Sequence, residues 1–201
     1  DRVEALAASA DVPVVNALTD LAHPCQVLAD LMTIREHKGD PAGLTLTYVG
    51  DGNNVAHSLL LGGVQAGLHV RIAAPNGYEP RGEIVKRASE IGETTGGSAS
   101  VTNDVGVACA GADVLYTDVW TSMGQEAEAV ARRNTFAPYI VDERCLDVAA
   151  PGVMVLHCLP AHRGEEIAAS VIDGPHSFVF DQAENRLHAQ KALLAFLLEH
   201  S

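Results

Sequence analysis

The chain has 201 residues, 47% of them hydrophobic and 19% charged, the balance of a globular domain with a sizeable core and not of a disordered, collagenous or coiled-coil chain. With 13 Lys and Arg against 26 Asp and Glu, its net charge of −13 repels a phosphate backbone, and four Phe, four Tyr and one Trp leave little with which to stack bases, so composition argues against a nucleic-acid role. Cys25, Cys109, Cys145 and Cys158 are scattered with no CxxC pair, as expected of reduced thiols in a cytoplasmic protein, and the longest apolar run, residues 192–198, falls far short of the roughly 18 residues that span a bilayer.

The sequence opens inside a helical pattern, Arg2-Val3-Glu4-Ala5-Leu6-Ala7-Ala8, with no initiator Met, and reads as a chain cut at its start. The β-branched run 12–18 predicts a strand, and Pro24 then opens a helix over 24–38. Strand 44–49, closed by Gly50, leads into a helix over 54–66; strand 68–74 leads into a helix over 81–94. Beyond strand 99–102, strand 114–119 precedes a helix over 124–134, and a short helix over 143–148 precedes strand 153–156. The run 178–180 predicts a last strand, and 184–200 a last helix. Strands alternating with helices argue an α/β fold, a doubly wound parallel sheet with helices on both faces.

In such sheets, ligands lie beyond the carboxyl ends of the strands, and polar clusters fall there. His23-Pro24-Cys25-Gln26 sets an imidazole and an amide beside the free N–H groups of a helix N-terminus, suited to a carbonyl or phosphate oxygen; an ordinary helix cap explains His23 equally. Gly50-Asp51-Gly52-Asn53-Asn54-Val55 imitates a dinucleotide fingerprint but lacks its third glycine, and no acid from Gly52 to Tyr78 serves a ribose. What remains is a polar turn with two amides, for which N-capping is the simple explanation. Asp118 and Ser122 place a carboxylate and a hydroxyl where both reach one ammonium group; capping before the acidic 126–128 run accounts for Ser122 but not for Asp118. Cys158, between His157 and Pro160 at a strand end, is placed to contact a substrate amine, although buried structural cysteine is the commoner fate. A zinc site from His157, Cys158 and His162 lacks a spaced second ligand pair, so no metal is expected. Neither GxSxG nor GxxxxGK[ST] occurs, which removes serine hydrolases and phosphate-loop NTPases.

In order along the chain, His23-Pro24-Cys25-Gln26, Gly50-Asp51-Gly52-Asn53-Asn54, Asp118-Val119-Trp120-Thr121-Ser122-Met123-Gly124, His157-Cys158-Leu159-Pro160 and Glu184-Asn185-Arg186 closely resemble the ornithine carbamoyltransferase family. The first motif is shared with the aspartate enzyme and points to the reaction; the Ser-Met-Gly loop followed by His-Cys-Leu-Pro points to ornithine, since no basic clamp for a second carboxylate is present. The resemblance implies a Rossmann-like second domain of a two-domain carbamoyltransferase, acting on carbamoyl phosphate and L-ornithine without metal or organic cofactor. It implies that His23, Pro24, Cys25, Gln26, Cys158, Leu159 and Arg186 bind carbamoyl phosphate. Asn54, Asp118, Ser122 and the Met123 backbone bind ornithine by the same resemblance, and Cys158 and Asp118 attend the reacting amine.

The same resemblance covers only the later two thirds of the family's chain. Its Ser-Thr-Arg-Thr helix and further phosphate-gripping arginines have no counterpart here, where residues 1–22 hold only Arg2. The isolated chain is therefore expected to be inactive. The implied layout is a remnant of the donor domain with a bridging helix over 1–38, an ornithine-binding domain over 39–183 and a helix over 184–201 returning to the missing domain, in a parent protein that is a homotrimer. Leu187, Leu194 and Leu198, widened by Leu193 and Leu197, would be left as an apolar stripe on that last helix. Two other readings are a non-catalytic ornithine-binding module and a nucleotide-dependent oxidoreductase.

Overall fold

Short runs of β-branched and aromatic residues lie side by side as parallel strands in the computed structural model, which describes residues 2–121 and 126–200. They are β1 (Thr45–Val49), β2 (His69–Ala73), β3 (Ser98–Thr102), β4 (Val114–Thr117) and β5 (Met154–His157). Among the described residues they form one sheet in the order β3-β2-β1-β4-β5, with Tyr48 of β1 paired to Ile72 on one side and Tyr116 on the other.

Alternation along each strand sorts side chains between two faces. Leu46, Tyr48, Val114, Tyr116, Met154 and Leu156 join one core, completed by Val27 and Ile34 of α2 (Pro24–Lys38), Val55 of α3 (Asn54–Ser58) and Ala88 of α4 (Gly82–Thr95). Val49, Leu115 and Val155 point the other way. They meet Ala108 of α5 (Val105–Cys109), Phe136 of α6 (Ala129–Phe136), Cys145 of α7 (Glu143–Val148) and Val171 of α8 (Ala169–Ile172). The layered, doubly wound arrangement agrees with the sequence reading.

Helix α3 runs on into a π-turn, Leu59–Gly63, where the chain packs closely: a Cβ on Gly62 would lie 2.7 Å from Val27 Cγ1. The flanking helices are α1 (Arg2–Ser9) and α9 (Val179–Glu199), and α9 packs along α2. Asn185 Nδ2 donates to Thr33 Oγ1 at 3.0 Å and to Glu36 Oε2 at 2.6 Å across that contact, and His37 meets Asp181 at 3.0 Å. No helix among the described residues is long and apolar enough to cross a membrane.

Two predicted strands are absent. Residues 12–18 run as irregular chain, with Val12 70% and Leu18 51% exposed; β-branched residues alone do not make a strand without a neighbour to pair with, and Pro13 withholds one donor. Residues 178–180 begin α9, because after Phe178 N–H donates to Val155 O at 3.0 Å the chain turns directly into helix. Helices α5 and α8 escape a periodicity reading because neither completes two turns.

Candidate active site

The strand order reverses beside β1: the chain leaves it toward β2 and β3, then returns to the other side for β4 and β5. Loops after β1 and β4 therefore diverge, and a crevice opens between them at the carboxyl ends of the strands. Asp118 stands there, buried, just past β4. Its Oδ1 accepts the Cys158 thiol at 3.0 Å and the Val119 N–H at 2.8 Å, and its Oδ2 accepts Asn53 Nδ2 at 3.0 Å. Asn53 in turn caps α3, its Oδ1 accepting from Val55 N at 2.9 Å and Ala56 N at 3.2 Å. One amide thus terminates the helix and ties the β1 loop to the β4 loop. Burial, then the Asp118 carboxylate beside it, pushes the Cys158 thiol well above the usual range, so near neutral pH it is a protonated donor.

Helix α3 also holds the segment that carries the first motif. Asn54 Nδ2 donates to Thr19 O at 2.7 Å, His57 Nδ1 to Leu21 O at 2.9 Å, and Ser58 Oγ accepts His23 N–H at 2.7 Å. His57 Nε2 accepts Arg81 N–H at 3.1 Å, and burial keeps this ring below the usual histidine range and neutral. His23 is thereby set at the start of α2, with Pro24 the first helical residue and Cys25 buried, its thiol 3.6 Å from Asn16 O. Burial, then the Arg186 charge, holds the His23 imidazole low, leaving a neutral ring whose Nδ1 is buried with no partner among the described residues.

Gln26, one turn into α2, is fixed at both ends. Its Nε2 donates to Asp30 Oδ1 at 2.8 Å, and its Oε1 accepts Arg186 Nη1 at 2.6 Å. Asp30 Oδ1 also accepts Gln182 Nε2 at 2.7 Å and Tyr116 Oη at 3.4 Å. Complete burial of Asp30, only partly offset by these donors, raises its carboxyl to about 7. Gln182 continues the network by accepting His157 N–H at 2.9 Å. The His157 ring spans the next turn, with Nδ1 accepting Leu159 N–H at 2.8 Å and Nε2 facing Glu166 Oε1 at 3.2 Å. Leu159 sits at φ 58°, a left-handed conformation that costs a side-chain-bearing residue about 1–2 kcal/mol, and the bond to His157 helps hold it there. Burial pushes the Glu166 carboxyl up, but the bonds from His157 and the His162 N–H outweigh it and hold the group below its usual range.

The structure therefore gathers Asp118 with Cys158, and His23 with Gln26 and Arg186, while the Asn54 amide reaches toward residue 19 and its neighbour Asn53 joins Asp118. Ser122 and Met123 lie outside the described residues. The chain leading to them is anchored by Arg132, whose Nη2 pairs with Asp51 and whose Nε donates to Trp120 O, with its guanidinium 5.0 Å over the Tyr78 and Phe136 rings. Asn53, Asp30, Gln182, Glu166 and the Asp51–Arg132 pair did not enter the predicted site. Asn53 carried a signal as the twin amide of its turn, but the Asp51–Arg132 pair is 81 residues apart and has no local signature.

Asp118, His157 and Cys158 bring ligand atoms within 4.8 Å of one another, as do His162, Glu165 and Glu166. In the first group both His157 ring nitrogens are engaged by Leu159 and Glu166, and in the second Glu165 is paired with Arg133 at 2.9 Å. Either group would have to give up these bonds to bind an ion.

The family model described as Aspartate/ornithine carbamoyltransferase, Asp/Orn binding domain, matches residues 42–197, and the carbamoyl-P binding domain of the same family matches residues 1–36. This chain belongs to the aspartate/ornithine carbamoyltransferase family. Within it, an ornithine carbamoyltransferase of Parafrankia sp. (strain EAN1pec) is 63% identical over 201 residues, covering 100% of this chain and 63% of the relative. One from Acidothermus cellulolyticus is 63% identical over 199 residues, covering 99% of this chain and 64% of that protein. The ornithine carbamoyltransferase structure from Pyrococcus furiosus superposes with a TM-score of 0.93 at 55% identity, covering 96% of this chain and 62% of that one. This family member thus spans just under two thirds of the length of the curated relatives it matches.

Proposed function

We propose that the protein containing this chain transfers the carbamoyl group of carbamoyl phosphate to the side-chain amine of L-ornithine, giving L-citrulline and phosphate. The observation that carries this reading is the Asp118–Cys158 pair, 3.0 Å apart at the point where the strand order reverses, with His23 and Arg186 within electrostatic reach of each other beside it. The names of the similar proteins support ornithine as the acceptor.

In this reading the ornithine amine attacks the carbamoyl carbon, a C–N bond forms, and the C–O bond to phosphate breaks with its electron pair leaving on phosphate. The neutral His23 ring and the Gln26 amide hydrogen-bond the carbamoyl group as its carbonyl oxygen gains charge. Arg186 supplies positive charge toward the phosphate. Pro24, Cys25 and Leu159 contribute backbone at the donor, with the N-terminus of α2 facing an anion. Asn54, Asp118, Ser122 and Met123 orient the α-amino and carboxylate groups of ornithine. Because the Cys158 thiol is held protonated, proton-accepting capacity beside the amine rests with Asp118, and Cys158 acts as a donor that fixes that carboxylate.

We further place residues 1–38 with the donor domain and a bridging helix, 39–183 as the ornithine-binding domain, and 184–201 as a helix returning to the donor domain. The exposed Leu187, Leu194 and Leu198 of α9 suit a face that such a domain covers. The parent protein is proposed to be a homotrimer that works in the cytoplasm, where thiols such as Cys158 stay reduced. Assaying citrulline formation by this chain alone and by the chain joined to its upstream segment tests the reading. Turnover by the joined protein alone is expected; absence of citrulline from the joined protein, or turnover untouched by Asp118→Asn, contradicts it.

A further inference from the structure

On the face of the sheet that carries α5–α8, two thiols meet that the proposed chemistry does not use. Cys109 closes α5 and is fully buried; Cys145 lies in the middle of α7 with 4% of its surface exposed, and the two helices pack on each other. The Cys109 and Cys145 side chains lie close enough to influence one another electrostatically, and the Cys145 thiol donates to Ile140 O at 3.6 Å. Beside them is a cavity of about 260 Å³, lined by Val105, Pro138, Ile140, Arg144, Cys145 and Val148. It shares no residue with the Asp118–Cys158 cluster. Its rim reaches solvent, since Val148 is 45% exposed and the Arg144 side chain 81%. Cys145 lines it; Cys109 does not.

We propose that Cys109 and Cys145 are a redox-sensitive pair, in which hydrogen peroxide entering the cavity oxidises Cys145 and Cys109 then resolves it to a disulfide. The two thiols differ in the way such a pair requires. Cys145 lines the cavity that reaches solvent, and the nearby Arg144 charge favours its thiolate, whereas Cys109 is fully buried and does not line the cavity. Among the charged groups near the pair, Asp142 acts against both thiolates, while Arg71 favours that of Cys109. In the first step the Cys145 thiolate attacks one peroxide oxygen, an S–O bond forms and the O–O bond breaks, and the departing hydroxide takes a proton to become water. In the second, Cys109 loses its proton and attacks the Cys145 sulfur, an S–S bond forms and the S–OH bond breaks, releasing a second water. Two thiols are oxidised and one peroxide is reduced.

The test treats the reduced, folded chain with hydrogen peroxide in the presence and absence of dimedone, blocks free thiols, and maps peptides by mass spectrometry. The expected result is a Cys109–Cys145 cross-linked peptide with the loss of two hydrogens. Dimedone should trap Cys145 at least about tenfold faster than Cys25, which is buried with its thiol against Asn16 O. Cys109→Ser should abolish the cross-link and accumulate the dimedone adduct on Cys145, and Cys145→Ser should abolish both. The proposal is overturned if Cys109 and Cys145 stay free at peroxide levels that oxidise glutathione, if the adduct appears first on Cys109, or if the first cross-link involves Cys25 or Cys158. The wild-type mapping decides between these outcomes even where a serine variant folds poorly.

Discussion

Asp30 offers a charge that can be removed with little change of shape. Its Oδ1 accepts from Gln26, Gln182 and Tyr116, while its Oδ2 is buried without a partner among the described residues, so Asp30→Asn keeps the accepting oxygen and deletes the charge. The carboxyl titrates at about 7 when folded against 3.8 as its ordinary value, mainly because burial disfavours the anion. An acid with a raised folded pKa binds its proton more tightly in the native state, so its contribution is most favourable at low pH and is lost as pH rises from the unfolded value toward the folded one. The full window corresponds to on the order of 4 kcal/mol, of which about 3 kcal/mol falls between about pH 5 and about pH 8. The amide nitrogen that the substitution introduces would meet no partner in place of Oδ2, a cost of about 1–3 kcal/mol that does not vary with pH. Urea unfolding of both proteins across this range is the assay. The stability difference should move in favour of Asp30→Asn by about 3 kcal/mol from the acid to the alkaline end, with groups common to both cancelling. Parallel stability curves for the two proteins would refute the argument that Asp30 is buried against its own charge.

Gly52→Ala should destabilise by about 1–3 kcal/mol or more, since its Cβ would sit 2.2 Å from Pro80 N and that neighbour is backbone; chemical denaturation measures it. Arg132→Ala should cost about 3–5 kcal/mol, read in the same way, because Asp51 is left as a mostly buried carboxylate without its partner. If Arg132 also positions the loop beyond Asp118, ornithine affinity in that variant should fall together with stability.

Much of the fold was legible because its strands are short runs rich in β-branched and aromatic residues, and because burial of both faces of the sheet makes the central strands apolar almost throughout. The failures at residues 12–18 and 178–180 share a cause: a local run states a preference, whereas pairing is decided by what lies alongside it. Of the site, Asp118 and Cys158 were legible as polar residues at strand ends, where the core has no use for them. The resemblance pointed to Asn54, and the structure joins its neighbour Asn53 to Asp118, a contact that spacing alone does not reveal for either of two adjacent amides. Asp30 and Gln182 were illegible for another reason. They lie 152 residues apart and look, one by one, like exposed positions on separate helices, and only the packing of α9 on α2 buries them together.

Titrating L-ornithine calorimetrically into the chain, and into its Asp118→Asn variant, tests most directly whether the crevice between β1 and β4 receives a diamino acid. Saturable heat is expected with L-ornithine and none with L-aspartate, and the substitution should lower the affinity at least about tenfold, because it removes the charged partner of the ammonium group. Equal affinity in both proteins, or preference for L-aspartate, would contradict that assignment.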